Sequence, residues 1–445
     1  MDKVITGVNT SSCPSDLKIT DMRFADIVGA PMDCTLIKIE TNQGIVGYGE
    51  IRDFSNKMYA LQLKRLLLGE NPCNVGKLFA KIKQFGGHAR QGGGVSGIEV
   101  ALMDLAGKAY GVPVYQMLGG KFRDEIRIYC DTDVDGKHSG ADMGKALKER
   151  INKGFTIVKM DLGIDLLIDI KDAINAPLGY LEIMKKFSQQ ELSFGITNEA
   201  FSEFMSIPHP FTLVSITEKG LEYLEEYVKE VREVIGYEIP LAIDHIGHVN
   251  VESCIKLASR LEKYNIAWME DCVPWFYTDQ WRRLKAETRV PMCTGEDIYL
   301  KDNFMPLFNE HAVSVIHPDV LTAGGIMETK KIINTAEEYG IAAVVHMAET
   351  PIGCMAAAHV SAAAGDNFVA MEFHSNDVPW WDSIVKCKEE AIIQNGWLKL
   401  SDKPGLGIDE LNDEVLLEHI NPKRAGIWEN TDLWNNEWSH DRIWS

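Results

Sequence analysis

Near its start the chain alternates apolar and polar residues with a period of two. Thr35–Glu40 (TLIKIE) and Gly44–Glu50 (GIVGYGE) flank Thr41-Asn42-Gln43, a pattern that predicts an antiparallel hairpin. The period then lengthens. In Ile98–Tyr110 (IEVALMDLAGKAY), Ile98, Ala101, Leu102 and Leu105 recur at helical spacing until Gly111-Val112-Pro113 stops the run. The first part is therefore an α+β unit. From about Glu125, short β-rich runs alternate with helical segments, as successive βα units around a parallel sheet require. The predicted strands are Ile126–Cys130, Thr156–Lys159, Pro240–Ile243, Ile266–Met269, Pro291–Thr294, Val313–Ile316, Ala342–Val345 and Asn367–Met371. Eight runs suit a closed α/β barrel better than an open sheet, and no GxGxxG follows the first of them to anchor a dinucleotide.

Two stretches break the rhythm. Residues 163–217 are longer than one αβ connection needs, which predicts an insertion that shapes the substrate site or an oligomer contact. After Trp397 the chain passes through Lys403-Pro404-Gly405-Leu406-Gly407-Ile408 and then carries Trp428, Trp434, Trp438 and Trp444. A tail this rich in tryptophan needs cover from the first unit or from another copy of the chain, so a homo-oligomer is expected.

Composition narrows the partners. The 45 basic residues face 65 acidic ones, a net charge of −20, which repels a phosphate backbone and excludes a nucleic-acid partner. No run approaches a membrane span and Met1–Ser15 has no apolar signal core, so a cytoplasmic protein without a membrane partner is expected. The nine cysteines form no CxxC pair, and Cys34, Cys130, Cys272, Cys293 and Cys354 lie in or beside apolar runs as small buried residues do.

The chemistry lies at the strand ends. Asp244, Glu270, Glu296, Asp319, His346 and Glu372 each follow an apolar strand, spaced 26, 26, 23, 27 and 26 residues apart, one βα repeat each. A barrel gathers the C-terminal ends of its strands on one face, so this beat makes a ring around one pocket. Helix capping does not explain the series, because three members are glutamate, a poor N-cap. Carboxylates converging in this way need a cation. An all-oxygen set without cysteine favours Mg²⁺, which we assign to Asp244, Glu270 and Glu296, leaving about three positions of an octahedron for a substrate carboxylate and water. Asp319 and His346 lie on neighbouring strands, where the carboxylate fixes the imidazole tautomer and His346 reads as a general base. Glu372 is placed to donate or accept a hydrogen bond at a developing enediolate.

The order Lys159-Met160-Asp161, Asp244, Glu270, Glu296, HPDV at 317–320, AGGI at 323–326 and His346 resembles the mandelate racemase subgroup of the enolase superfamily. The likeness extends to GIVGYGE at 44–50, ALMDLAGK at 101–108, GVPV at 111–114 and LGG at 118–120. It implies an α+β cap (residues 1–123) over a modified TIM barrel, (β/α)₇β (residues 124–390), with residues 391–445 returning to complete the cap. It also implies a small carboxylate substrate.

Racemases of this subgroup carry KxK at the second strand end, but here Lys159 matches the first lysine and Asp161 stands in place of the second. Asp161, a weak base at most, reads more simply as a hydrogen-bond partner or an acid that contacts substrate hydroxyls, and Lys159 holds the substrate carboxylate or the enediolate charge. With His346 as the sole strong base, a one-sided elimination of water from an acid sugar is favoured. Racemisation, cycloisomerisation and a binding-only paralogue are the alternatives. Related dehydratases place an acid histidine two residues after the first metal ligand. Here Ile246 holds that position, between His245 and His248, which become candidate substrate contacts. Arg23 and Arg52 in the cap are candidate clamps, the 85–90 loop (FGGHAR) is a further specificity element, and Trp275 is a candidate pocket wall.

Overall fold

The computed structural model describes residues 12–188, 213–244, 249–386, 391–423 and 426–437. Strands β1 (Ile19–Ile27), β2 (Cys34–Thr41) and β3 (Val46–Ile51) form an antiparallel sheet in that order. The β2–β3 hairpin is the predicted one, and Gly44 turns it at φ 77°, donating its N–H to the Thr41 carbonyl at 3.2 Å. A helix spanning Gly93–Tyr110 packs on β3 and starts five residues earlier than its apolar period predicts. The cause is its glycines, which read as breakers but are required for contact. A Cβ on Gly97 would meet the Glu50 carbonyl oxygen at 2.3 Å, and one on Gly49 would meet the Gly97 carbonyl oxygen at 2.1 Å.

The barrel strands are β4 (Glu125–Cys130), β5 (Val158–Asp161), β8 (Leu241–Asp244), β9 (Ile266–Glu270), β10 (Met292–Thr294), β11 (Val315–Ile316), β12 (Ala342–Val345) and β13 (Phe368–Phe373). Between β5 and β8 a small antiparallel pair, β6 (Ile174–Asn175) and β7 (Ser215–Ile216), lies in the insertion, with a helix at Tyr180–Ser188; residues 189–212 lie outside those described. The eight barrel strands run parallel, and β13 pairs back onto β4, which closes the sheet. This is the expected modified TIM barrel, and each of its strands lies within two residues of its predicted span. Its interior is filled by Tyr129, Ile157, Ala242, Trp268, Cys293, Val315, Val344 and Ala370, all buried, with the Tyr129 and Trp268 rings edge-on at 5.5 Å. Cys34, Cys130, Cys272, Cys293 and Cys354 are buried free thiols.

Two buried cap glutamates fasten the cap to the barrel. Glu99 accepts hydrogen bonds from the N–H groups of Ile326 and Met327, at the start of the Ile326–Glu338 helix. Glu50 accepts from the N–H groups of Thr350 and Gly353 and from the Thr350 hydroxyl, at the start of the Pro351–Ala363 helix. Each carboxyl meets donors that a helix start leaves open. After the barrel, β14 (Ile393–Gln394) and β15 (Trp397–Lys399) form a hairpin on β4. The chain then returns to the cap: Leu406 donates to Asp104, bridges join Ile420 to Ile27 and Ile427 to Ala25, and Trp428 donates its N–H to the Phe24 carbonyl at 2.8 Å. Trp438 and Trp444 lie outside the described residues. Among the described residues no helix is long and apolar enough to cross a membrane.

Candidate active site

Side chains alternate across a strand, so the residue two beyond each barrel-filling side chain also points inward, one layer nearer the C-terminal mouth. The filling layer of Tyr129, Ile157, Ala242, Trp268, Val315, Val344 and Ala370 is thus followed by Asp131, Lys159, Asp244, Glu270, His317, His346 and Glu372. One further step gives Asp161, Asp319 and His374. Glu296 alone breaks the parity, because the chain turns at Gly295 (φ 150°) after β10.

Lys159 lies at the centre of this layer, wholly buried. Its Nζ is 2.8 Å from Asp244 Oδ2, 2.6 Å from Glu270 Oε1 and 2.5 Å from Glu372 Oε1. Burial would lower its pKa, but the three carboxylates carry it well above the usual lysine range. The ammonium is enclosed by protein acids, which corrects the expectation that Lys159 holds the substrate carboxylate. Burial, with Asp244 beside it, pushes the Glu270 carboxyl well above its usual range. Asp244, Glu270 and Asp271 each offer a carboxylate oxygen within 4.8 Å of the others, an oxygen-donor set that fits a hard divalent cation. Glu296 is not part of that trio. Its Oε2 lies 2.8 Å from His346 Nε2 and its Oε1 3.6 Å from the Arg52 guanidinium.

His346 Nδ1 lies 2.7 Å from Asp319 Oδ2. Burial would raise the Asp319 pKa, but Arg52 and His346 hold it down at about 2. Asp319 is therefore a carboxylate that accepts from Nδ1–H, which leaves Nε2 as the nitrogen that exchanges protons. Burial and Arg52 both push the His346 pKa down, and Glu296, Glu372 and Asp319 outweigh them, so the ring is raised well above its ordinary value.

Arg52 is not a clamp open to substrate. With 1% of its side chain exposed, it reaches Asp319 Oδ2 at 2.6 Å, Glu349 Oε1 at 3.0 Å and Asp53 Oδ1 at 3.0 Å, and so carries the dyad from beneath. Arg23 is also corrected: its guanidinium bonds Asp21 at 2.7 Å and the Trp428 carbonyl at 3.3 Å, in the seam between β1 and the C-terminal segment. Glu372 is corrected in part. Burial opposes its ionisation, but Lys159, His374 and His346 hold its pKa well below the usual range, so it accepts and does not donate.

At the rim, Trp275 meets the His88 ring at a centroid distance of 4.5 Å, which joins the 85–90 loop to the strand end after Glu270. Arg90 in that loop pairs with Asp297 and Asp53, each at 3.0 Å. Asp161 ends β5 in register with Asp244. His245 and His248, with Ile246 between them, lie outside the described residues. Spacing by βα repeat passed over Asp131, Asp271, His317, Glu349 and His374. Strict alternation from the filling layer points to Asp131, His317 and His374, whereas Asp271 and Glu349 lie in loops and carry no such signal.

The pattern of the mandelate racemase / muconate lactonizing enzyme N-terminal domain matches residues 5–119, and that of the enolase C-terminal domain-like family matches residues 142–415. The chain belongs to the mandelate racemase subgroup of the enolase superfamily. A D-xylonate dehydratase of Haloferax volcanii is 32% identical over 402 residues, covering 88% of this chain and 87% of the relative. An arabinonate dehydratase of Saccharolobus solfataricus is 29% identical over 398 residues, covering 87% and 91%. Among solved structures, a mandelate racemase/muconate lactonizing enzyme-like protein from Rubrobacter xylanophilus superposes with a TM-score of 0.77 at 29% identity, over 93% of this chain and all of that one.

Proposed function

We propose that this enzyme is a Mg²⁺-dependent hydro-lyase that removes water from an acid sugar, an aldonate or aldarate, to give a 2-keto-3-deoxy acid. The dehydratase names of its relatives support that class. The observation that carries the reading is the His346–Asp319 pair facing the acidic ring, with an aspartate at position 161 where inversion would need a lysine.

Asp244, Glu270 and Glu296, the last turned away from His346 Nε2, would hold Mg²⁺ with Asp271 beside them; when bound it would polarise the substrate carboxylate and stabilise charge on an enediolate. His346 Nε2 takes the α-proton, and Asp319 stabilises the imidazolium that forms. Lys159 offsets the charge of the acids around it and keeps Asp244 and Glu270 at fixed positions. Asp161, at the end of β5, meets substrate hydroxyls. Trp275 and His88 cover the mouth and limit access of water.

Incubation with Mg²⁺ and a panel of aldonates and aldarates, followed by assay for 2-keto-3-deoxy acids, tests the reading. Product from at least one member, lost on chelation and restored by Mg²⁺, is expected. A protein that binds Mg²⁺ yet turns over no acid of the panel contradicts it.

A further inference from the structure

Loss of hydroxide from carbon 3 needs a proton donor as well as a base at carbon 2. His346 can serve as both only when the α-hydrogen and the 3-hydroxyl leave from the same side. The site holds another imidazole. His374 lies two residues beyond Glu372 on the inward parity of β13, with 16% of its side chain exposed, whereas Lys159 and His317 are sealed off completely. Its ring centroid is 5.8 Å from that of His346. Nδ1 lies 3.3 Å from Asp131 Oδ2, just past β4, so a carboxylate faces this ring too, at a longer distance than the 2.7 Å between His346 and Asp319. Nε2, itself buried, lies 3.2 Å from Glu372 Oε1 without the alignment of a hydrogen bond, so that carboxylate does not hold its proton.

We propose that His374, oriented by Asp131, is the catalytic acid that protonates the departing 3-hydroxyl, so that base and acid are separate histidines. This inference rests on the dehydratase reading. His346 removes the α-proton, and the C2–H electron pair passes into the enediolate. That pair then returns to form the C2–C3 double bond as the C3–O bond breaks, and the leaving oxygen takes the His374 proton and departs as water. The enol then gives its hydroxyl proton to solvent and gains one at C3. Net, the acid sugar yields one water and one 2-keto-3-deoxy acid, and solvent returns both histidines to their starting states. The charge environment agrees: burial opposes protonation of His374, but Asp131 and Glu372 carry its pKa upward.

The test pairs a substrate of the wild-type enzyme with its 3-deoxy-3-fluoro analogue, since fluoride departs with far less help from an acid. Elimination of HF gives the same keto acid. His374→Asn is expected to slow dehydration by roughly 10²–10⁴-fold while fluoride release stays within about tenfold of wild type and α-exchange in deuterated water persists. His346→Asn is expected to abolish all three. Asp131→Asn, which keeps the imidazole, is expected to fall between wild type and His374→Asn on dehydration alone, and it carries the test if His374→Asn does not fold. Equal losses on both substrates, or unaltered dehydration in both variants, overturns the proposal. Failure of the wild type to dehydrate any acid sugar would instead refute the reaction class.

Discussion

A guanidinium enclosed by Asp53, Asp319 and Glu349 looks like a substrate clamp when only its residue type and cap position are known. Arg52 shows the limit of that inference, because burial and partners are set by the fold and not by the residue type. Removing it strands three buried carboxyl groups. Arg52→Ala is expected to destabilise the protein by about 3–5 kcal/mol in urea unfolding; a loss under about 1 kcal/mol would mean the cluster is already neutral. His359 gives a second residue-scale test. It is wholly buried and accepts a hydrogen bond from the Tyr115 N–H at 3.1 Å, and burial lowers its pKa to about 4. Because the folded value lies below the unfolded value of about 6.5, the unfolded chain binds the extra proton first. The contribution is fully present above about pH 6.5 and is lost as the pH falls towards 4. Between pH 7 and 4.5 the wild type should lose about 2–3 kcal/mol more than His359→Gln; superimposable profiles would contradict this.

Among the elements, periodicity resolved the barrel strands because each is a short apolar run between helices, and the βα beat then found most of the ring. It missed the start of the Gly93–Tyr110 helix, where close backbone approach selects the residues that helix propensity disfavours. It also passed over Asp131, His317 and His374, whose places follow from the two-residue period within a strand rather than from the beat between strands. The glycines of AGGI acquire a physical reason at this scale. Gly325 sits at φ 91°, and a Cβ there would meet Glu99 Oε2 at 2.1 Å, where that carboxyl caps the Ile326–Glu338 helix. Gly325→Ala should therefore lose more than the roughly 1–3 kcal/mol of backbone strain alone, read as a lower urea midpoint; an unchanged midpoint would show that the cap can yield without loss.

Over the whole molecule, a net charge of −20 has to be reconciled with the anionic substrate proposed for it. Long-range repulsion is screened within about 8–10 Å at ordinary ionic strength, so the local field at the barrel mouth decides. There one ammonium, Lys159, faces the three carboxylates of Asp244, Glu270 and Glu372, and the proposed divalent cation would reverse the sign that an incoming carboxylate meets. The most direct test of a single base acting from one side is to run the wild-type enzyme with Mg²⁺ in deuterated water and to characterise both product and unreacted acid. A one-sided base predicts a 2-keto-3-deoxy acid carrying deuterium at carbon 3 and unreacted substrate that keeps its configuration at carbon 2. Substrate inverted at carbon 2, with no keto acid formed, would contradict it.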